Sequence, residues 1–266
     1  MERTIQKCVQ VDGSWVTVDV YGQPDGAAIV VIPGAMADAA GWAEVAQRLE
    51  GWEAVAVVNR RGRHPSGPLT DGYGLSTEIA DTAAVVREFS DVRTLFGWSY
   101  GGLIALSVAN VIAVPHVIAY EPVMAPFGAG ALPDLHRAHA SGELDESVDV
   151  ALRRVAGMEE QAVAALRSQE AIWAELRRLA APIYAETHAI NDAPEPGILA
   201  ADSKRVDLIV GELNQGLSPY GTTFDDVARH VPHSTTHLLD GQAHLAHLDA
   251  AEHLAALVDR LGGEVL

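Results

Sequence analysis

The sequence predicts an α/β domain: a mainly parallel twisted sheet with helices on both faces and a helical segment inserted late in the sheet. Three observations predict it. Short, continuous runs of β-branched and apolar residues, such as AIVVI and AVAVV, alternate with longer segments of helical periodicity, and strands apolar on both faces belong to parallel sheets covered by helices. The 266 residues are 48 % apolar, enough for a sizeable core. The alternation then fails over 126–200, where no strand-like run occurs and helical patterns are punctuated by Gly157, Pro182, Pro194 and Pro196.

Taken in order, segments 4–11 and 15–21 read as a hairpin about Asp12-Gly13, a dipeptide suited to the positive φ of a tight turn. Ala28–Ile32 is a buried strand ending at Pro33-Gly34, 41–50 is helical and 54–58 is the next strand. An amphipathic helix is expected over 75–89, a strand over Val92–Trp98, a helix over 100–111 and a strand over 117–120. The inserted segment carries helical patterns over 147–156, 159–166 and 170–179. Strands at 206–210 and 235–239 and a helix over 250–261 close the chain. The expected organisation is a core over 1–125, a helical cap over 126–200 and the rest of the core over 201–266.

The formal charge of −18 repels phosphate backbones and anionic membrane surfaces, so nucleic acid and membrane are not expected partners. Cys8 is the single cysteine; no internal disulfide can form, which fits a cytoplasmic protein. The N-terminus lacks an apolar signal core, and no apolar run reaches membrane-spanning length. A monomer or a homodimer fits equally well.

The stretch FGWSYGGL carries the chemistry. Gly97-Trp98-Ser99-Tyr100-Gly101 fits G-x-S-x-G between a strand and a helix. A serine on so sharp a turn needs neighbours without Cβ, and the following helix directs its first N–H groups toward developing negative charge. Ser99 is the candidate nucleophile, and a serine hydroxyl needs an imidazole to take its proton. Eleven histidines are present. The chain order nucleophile, acid, histidine places the base after the last strand, in LLDGQAHLAHL. His244 comes first past the Asp240-Gly241 turn; His247, three residues on, is the alternative. The H-x-x-H spacing suggests a metal, but no carboxylate or cysteine cluster accompanies it. Neither a metal nor a cofactor is expected.

With VVIPGAM, GWSYGG and LLDGQAH, the chain resembles the α/β-hydrolase superfamily over nearly its whole length. NRRGRHPSG at 59–67 is similar to the D-R-R-G-R-G-x-S-G loop of many bacterial members, and together with AYEPVM it resembles a subgroup of small, mostly actinobacterial serine hydrolases. Asn59 stands for the usual Asp and His64 for the usual Gly. The resemblance implies an oxyanion hole from the backbone N–H groups of Tyr100 and Ala35, with Pro33 in the place of the family's histidine. It also implies an acid after the seventh strand, in a pattern like V-G-E-x-D. Here Val210-Gly211-Glu212-Leu213-Asn214 lacks that aspartate. An asparagine orients an imidazole but cannot stabilise imidazolium, and in a serine protease triad the Asp-to-Asn change costs about 10⁴ in rate. Some members take the acid from the end of the sixth strand, where Glu121 stands. Glu121 is therefore preferred, with the Glu212–Asn214 turn second and Glu186 and Asp192 behind.

The implied activity is a cofactor-free serine hydrolase acting on an ester, thioester or lactone of a small apolar substrate. Met36, Trp98, Met124 and Trp173 are the candidate substrate-binding residues, internal packing being the alternative for each. C–C bond hydrolysis, perhydrolysis, a biosynthetic cyclisation and ligand binding without catalysis are the rival activities. A serine at position 99 argues against the relatives that use a carboxylate nucleophile.

Overall fold

The computed structural model describes residues 1–263, so the last three positions of the second core segment lie outside the described residues. Eight strands form one sheet: β1 (Arg3–Val11), β2 (Ser14–Gly22), β3 (Ala28–Ile32), β4 (Ala54–Asn59), β5 (Val92–Trp98), β6 (His116–Tyr120), β7 (Arg205–Gly211) and β8 (Ser234–Leu239). Their order is β1-β2-β4-β3-β5-β6-β7-β8. The first hairpin is antiparallel, β2 pairs antiparallel with β4, and every later pair is parallel.

The expected strands are all present, within a few residues at their ends. Side chains alternate across the pleat, so β3 sends Val30 and Ile32 into one core layer and Ile29 and Val31 into the other. The first layer packs under α2 (Leu75–Arg87) and α3 (Tyr100–Val108), the second under α1 (Ala43–Arg48) and the closing helix Ala251–Gly263. Every residue of α3 is buried, which is why its sequence is apolar all round rather than striped. Three boundaries differ from expectation. The segment 41–50 splits into a 3₁₀ turn, Ala40–Trp42, and the short α1. The helix after Ser99 ends at Val108, where Asn110 and Val111 turn back onto the carbonyls of Ser107 and Val108. The first helical pattern of the insertion divides into α-helical Leu144–Val150 and a π turn, Ala151–Val155.

Between β6 and β7 the chain forms α4 (Leu132–Ser141), α5 (Leu144–Val150), α6 (Glu160–Arg167), α7 (Glu170–Ala180) and α8 (Ile183–Asp192). These helices bury a cluster of their own that includes Leu135, Val148, Trp173 and Ile183. A further helix, α9 (Tyr220–Ala228), follows β7. It is not expected from the sequence pattern; its first turn, Tyr-Gly-Thr-Thr, is made of weak helix formers. The segment before the closing helix holds α10 (Ala246–Asp249), which makes Ala251–Gly263 α11. Among the described residues no helix is long and apolar enough to cross a membrane.

Candidate active site

Parallel strands all end at one edge of the sheet, and the chemistry-bearing residues gather there. Ser99 follows β5 directly. Its N–H donates to the Tyr120 carbonyl (2.9 Å), and its own carbonyl accepts from Gly102 N–H (2.9 Å) as α3 begins. The backbone at Ser99 has φ 57° and ψ −124°, a costly conformation for a residue with Cβ. Glycine is required on both sides. A Cβ on Gly97 would stand 2.1 Å from the Gly101 carbonyl oxygen, and one on Gly101 would stand 2.0 Å from that of Ile32.

Glu121 follows β6 in the same way. It too has positive φ, 41°, and its N–H donates to the Ile209 carbonyl (2.8 Å). Its carboxylate is fully buried and collects donors from three elements. Gly211 N–H reaches Oε1 at 2.9 Å, Asn214 Nδ2 reaches both oxygens at 3.0 Å, and His244 Nδ1 reaches Oε2 at 2.6 Å. A carboxylate only accepts, so Nδ1 carries the imidazole proton and the lone pair is left on Nε2.

His244 is held on several sides. Trp98 Nε1 donates to its carbonyl (2.8 Å), and the Tyr120 hydroxyl donates to that of Ala243. The Tyr220 ring stacks on the imidazole, centroids 3.5 Å apart at 12°, and Trp98 lies 4.7 Å away. Only 6 % of His244 and 6 % of Ser99 is exposed. Burial lowers the pKa of His244, against the opposing pull of the Glu121 carboxylate.

The other candidates occupy different places. Glu212 is exposed, and its carboxylate accepts from Gly241 N–H (2.7 Å), tying the β7 loop to the loop that carries His244. Glu186 is buried against two arginines and Asp192 is exposed. His247 stacks on Trp42 (4.7 Å, 5°), and burial, with His244 nearby, pushes its pKa down to about 3. Among the described residues no group of three or more His, Cys, Asp or Glu side chains is arranged to hold a metal ion. In the NRRGR loop, Asn59 Oδ1 accepts from Ala39 N–H (2.9 Å) and its amide donates to Thr17 Oγ1 (3.1 Å). His64 is exposed.

A model of the alpha/beta hydrolase family matches residues 29–258. The chain belongs to that family. No curated protein matches it. Among solved structures, this hydrolase-family chain is similar to an alpha/beta hydrolase from Sphaerobacter thermophilus, with 23 % identity over 96 % of this chain and 99 % of that one and a TM-score of 0.78. An enol-lactonase from Burkholderia xenovorans has 16 % identity, coverage of 96 % and 99 %, and a TM-score of 0.71. A thermophilic esterase from Thermogutta terrifontis has 16 % identity, coverage of 98 % and 99 %, and a TM-score of 0.69.

The residues expected to contact substrate divide in this hydrolase fold. Met36, half-buried at φ 56°, and Ala35 pack against the apolar cluster of the insertion. Met124 helps line a cavity of about 340 Å³ with Leu75, Leu103, Pro126, Ile190 and Pro194; Ser99 and His244 are not in its lining, so it neighbours the site rather than containing it. Trp98 holds the His244 loop from within the second core layer. Trp173 lies inside the insertion, its Nε1 donating to Asp145 Oδ1 (2.5 Å) and Arg167 over its ring (4.6 Å). The part played by Asn214 is not legible from its own position: it is a donor to Glu121 only because β6 and β7 lie side by side.

Proposed function

We propose that this chain is a cofactor-free serine hydrolase that cleaves an ester, thioester or lactone of a small apolar substrate through an acyl-enzyme. The observation that carries the reading is the 2.6 Å bond from His244 Nδ1 to Glu121, at the sheet edge where Ser99 sits on its strained turn. In the proposed reaction Ser99 Oγ attacks the carbonyl carbon while His244 Nε2 takes the hydroxyl proton. Glu121 stabilises the imidazolium, as the acid of a serine triad does. The N–H groups of Ala35 and Tyr100 receive the oxyanion, the second at the first turn of α3, where the helix dipole adds to it. His244 then protonates the leaving group, and water activated by the same imidazole releases the acyl group.

An esterase and an enol-lactonase among the structural neighbours support this bond class, as does a thioesterase domain from the curacin biosynthetic pathway. The apolar preference is supported by Met36 and by the apolar cluster of the insertion, which we read as a cap over 126–200. The test is labelling with a fluorophosphonate followed by peptide mass spectrometry. The adduct is expected on Ser99; an adduct elsewhere, or none, would overturn the proposal.

A further inference from the structure

The loop after β3 bears Ala35, whose N–H is one of the two proposed oxyanion donors, and Arg60 grips that loop from behind. Arg60 Nε donates to the Pro33 carbonyl (2.9 Å) and Nη2 to the Gly34 carbonyl (2.8 Å). The Gly34 carbonyl and the Ala35 N–H belong to one peptide unit. That unit is planar and trans, so its oxygen and its hydrogen point in opposite directions. A donor fixed on the oxygen therefore fixes where the Ala35 N–H points. The Arg60 guanidinium also lies 5.1 Å from the ring centre of Tyr100, the residue that bears the second donor.

Arg60 is in turn held by charges from two other elements. Nη1 donates to Glu78 of α2 (2.7 Å), and Nη2 donates to Glu186 of α8 (2.5 Å). Glu186 accepts a bidentate pair from Arg63, both bonds at 2.6 Å. All four charged side chains are at most 1 % exposed, and their formal charges cancel. Burial works against the Glu186 carboxylate, yet Arg60 and Arg63 hold its pKa below the usual carboxylate range. The insertion grips the same loop again through Arg178 of α7, which pairs with Asp38.

We infer that Arg60 is a positioning residue that aims the Ala35 N–H, and that Glu186 makes the placement of the helical insertion part of that aim. The inference rests on the serine-hydrolase reading. It concerns how one donor of the oxyanion hole is set, not the identity of the triad.

The experiment compares Arg60→Lys, Glu186→Gln and Arg61→Lys on p-nitrophenyl butyrate. Arg61 is the control. It forms a buried pair with Asp81 and donates to Thr70, so it tests loss of a buried pair on the same segment without touching the β3 loop. Lysine at 60 carries the charge but cannot span two carbonyls and two carboxylates. Arg60→Lys is expected to lower kcat by about 10²-fold, the scale of one lost oxyanion donor. KM should stay within about threefold and the acid limb of the pH profile should not move, because His244 and Glu121 are untouched. Glu186→Gln is expected to lower kcat about 10-fold on the same scale, and Arg61→Lys to leave it within about threefold at a lower thermal midpoint. A folded Arg60→Lys protein with full kcat overturns the inference, as does an equal kcat loss in Arg61→Lys. If Arg60→Lys does not fold, Glu186→Gln decides by the same criterion. If neither folds, the network is a structural brace and the inference falls. Wild-type protein that neither turns over the ester nor labels at Ser99 removes the hydrolase reading itself; wild-type turnover matched by Arg60→Lys removes this inference alone.

Discussion

Strands β6, β7 and β8 carry an acid–histidine cluster at each end. At the C-terminal edge Glu121, from β6, meets His244, from the loop after β8. At the N-terminal end Asp207, on β7, accepts from His116 of β6 and His237 of β8, each at 2.7 Å, and from Arg205. The residue types match and the surroundings do not. His116 has both nitrogens engaged, Nε2 with Asp207 and Nδ1 with Thr94 (3.3 Å). His244 has Nδ1 on Glu121, which leaves the imidazole lone pair on Nε2. Glu121 and Ser99 sit on backbone with positive φ, whereas Asp207 lies within a regular strand. Burial would raise the pKa of Asp207, but hydrogen bonds from His116, Arg205 and His237 outweigh it and hold the value at about 2. A saturated acid–histidine cluster braces the sheet. The other, whose imidazole bonds to Glu121 through Nδ1, is the one that the proposed reaction uses to move a proton.

The largest effect that would break this contrast is the loss of the nucleophile. Ser99→Ala is expected to fold normally and to lower kcat by about 10⁶-fold, as loss of a triad serine does. Ester turnover with circular dichroism checks both halves, and near-full activity would remove the C-terminal cluster from catalysis.

Next come the acid and its neighbour. Glu121→Gln keeps the shape but removes the charge that stabilises imidazolium, and is expected to cost about 10³ to 10⁴ in kcat. Asn214→Ala removes two donors from the same carboxylate while leaving Gly211 N–H and His244 in place, and is expected to cost about 10-fold. The ratio of the two losses is the measurement. If Asn214→Ala is the more damaging, the working acid lies after β7.

At the other end, Asp207→Asn is expected to leave kcat within about threefold but to cost about 3 kcal/mol of stability, since it strips buried His116, half-buried His237 and Arg205 of the carboxylate they share. Urea unfolding measures it. The folded-state pKa of Asp207 lies below its unfolded value near 3.8. Its contribution is therefore fully present above about pH 4 and fades as pH falls toward about 2. The difference between wild type and variant should shrink over that window.

The smallest effect is a displaced pH profile. His244 must be neutral to accept a proton, and burial lowers its pKa. The acid limb of kcat/KM should therefore have its midpoint below about 6.5, the ordinary histidine value. A midpoint above that value would mean that the Glu121 charge, not burial, governs the imidazole.

Local backbone geometry was legible in the sequence, and contact across the fold was not. The elbow at Ser99 is a five-residue pattern whose glycines answer clashes within one turn and one neighbouring strand. The alternating apolar runs disclosed the sheet for the same reason. Glu121 stood out because it ends a strand and because Asn214 occupies the place of the usual aspartate. What Asn214 does instead depends on a residue 93 positions away. Arg60 and Glu186 lie 126 apart, and nothing local marks either as the partner of the other. Trp98 and Trp173 illustrate the same limit: an aromatic side chain in a sequence gives no sign of whether it faces a substrate, a core or a backbone carbonyl.

The pairing of β6 with β7, with the bond from Asn214 to Glu121 just beyond it, closes the whole excursion of helices between these strands into a loop. In polymer terms the length of such a loop hardly matters, since the entropy of closure grows only logarithmically and each doubling adds roughly 0.6 kcal/mol. A chain that pins both ends of an insertion at its acid can lengthen, shorten or replace what lies between them at small thermodynamic cost. The insertion then becomes free to drift while the geometry about Glu121 stays put. Glu186 marks where that freedom stops, because any replacement for this insertion must still bring a carboxylate to Arg60.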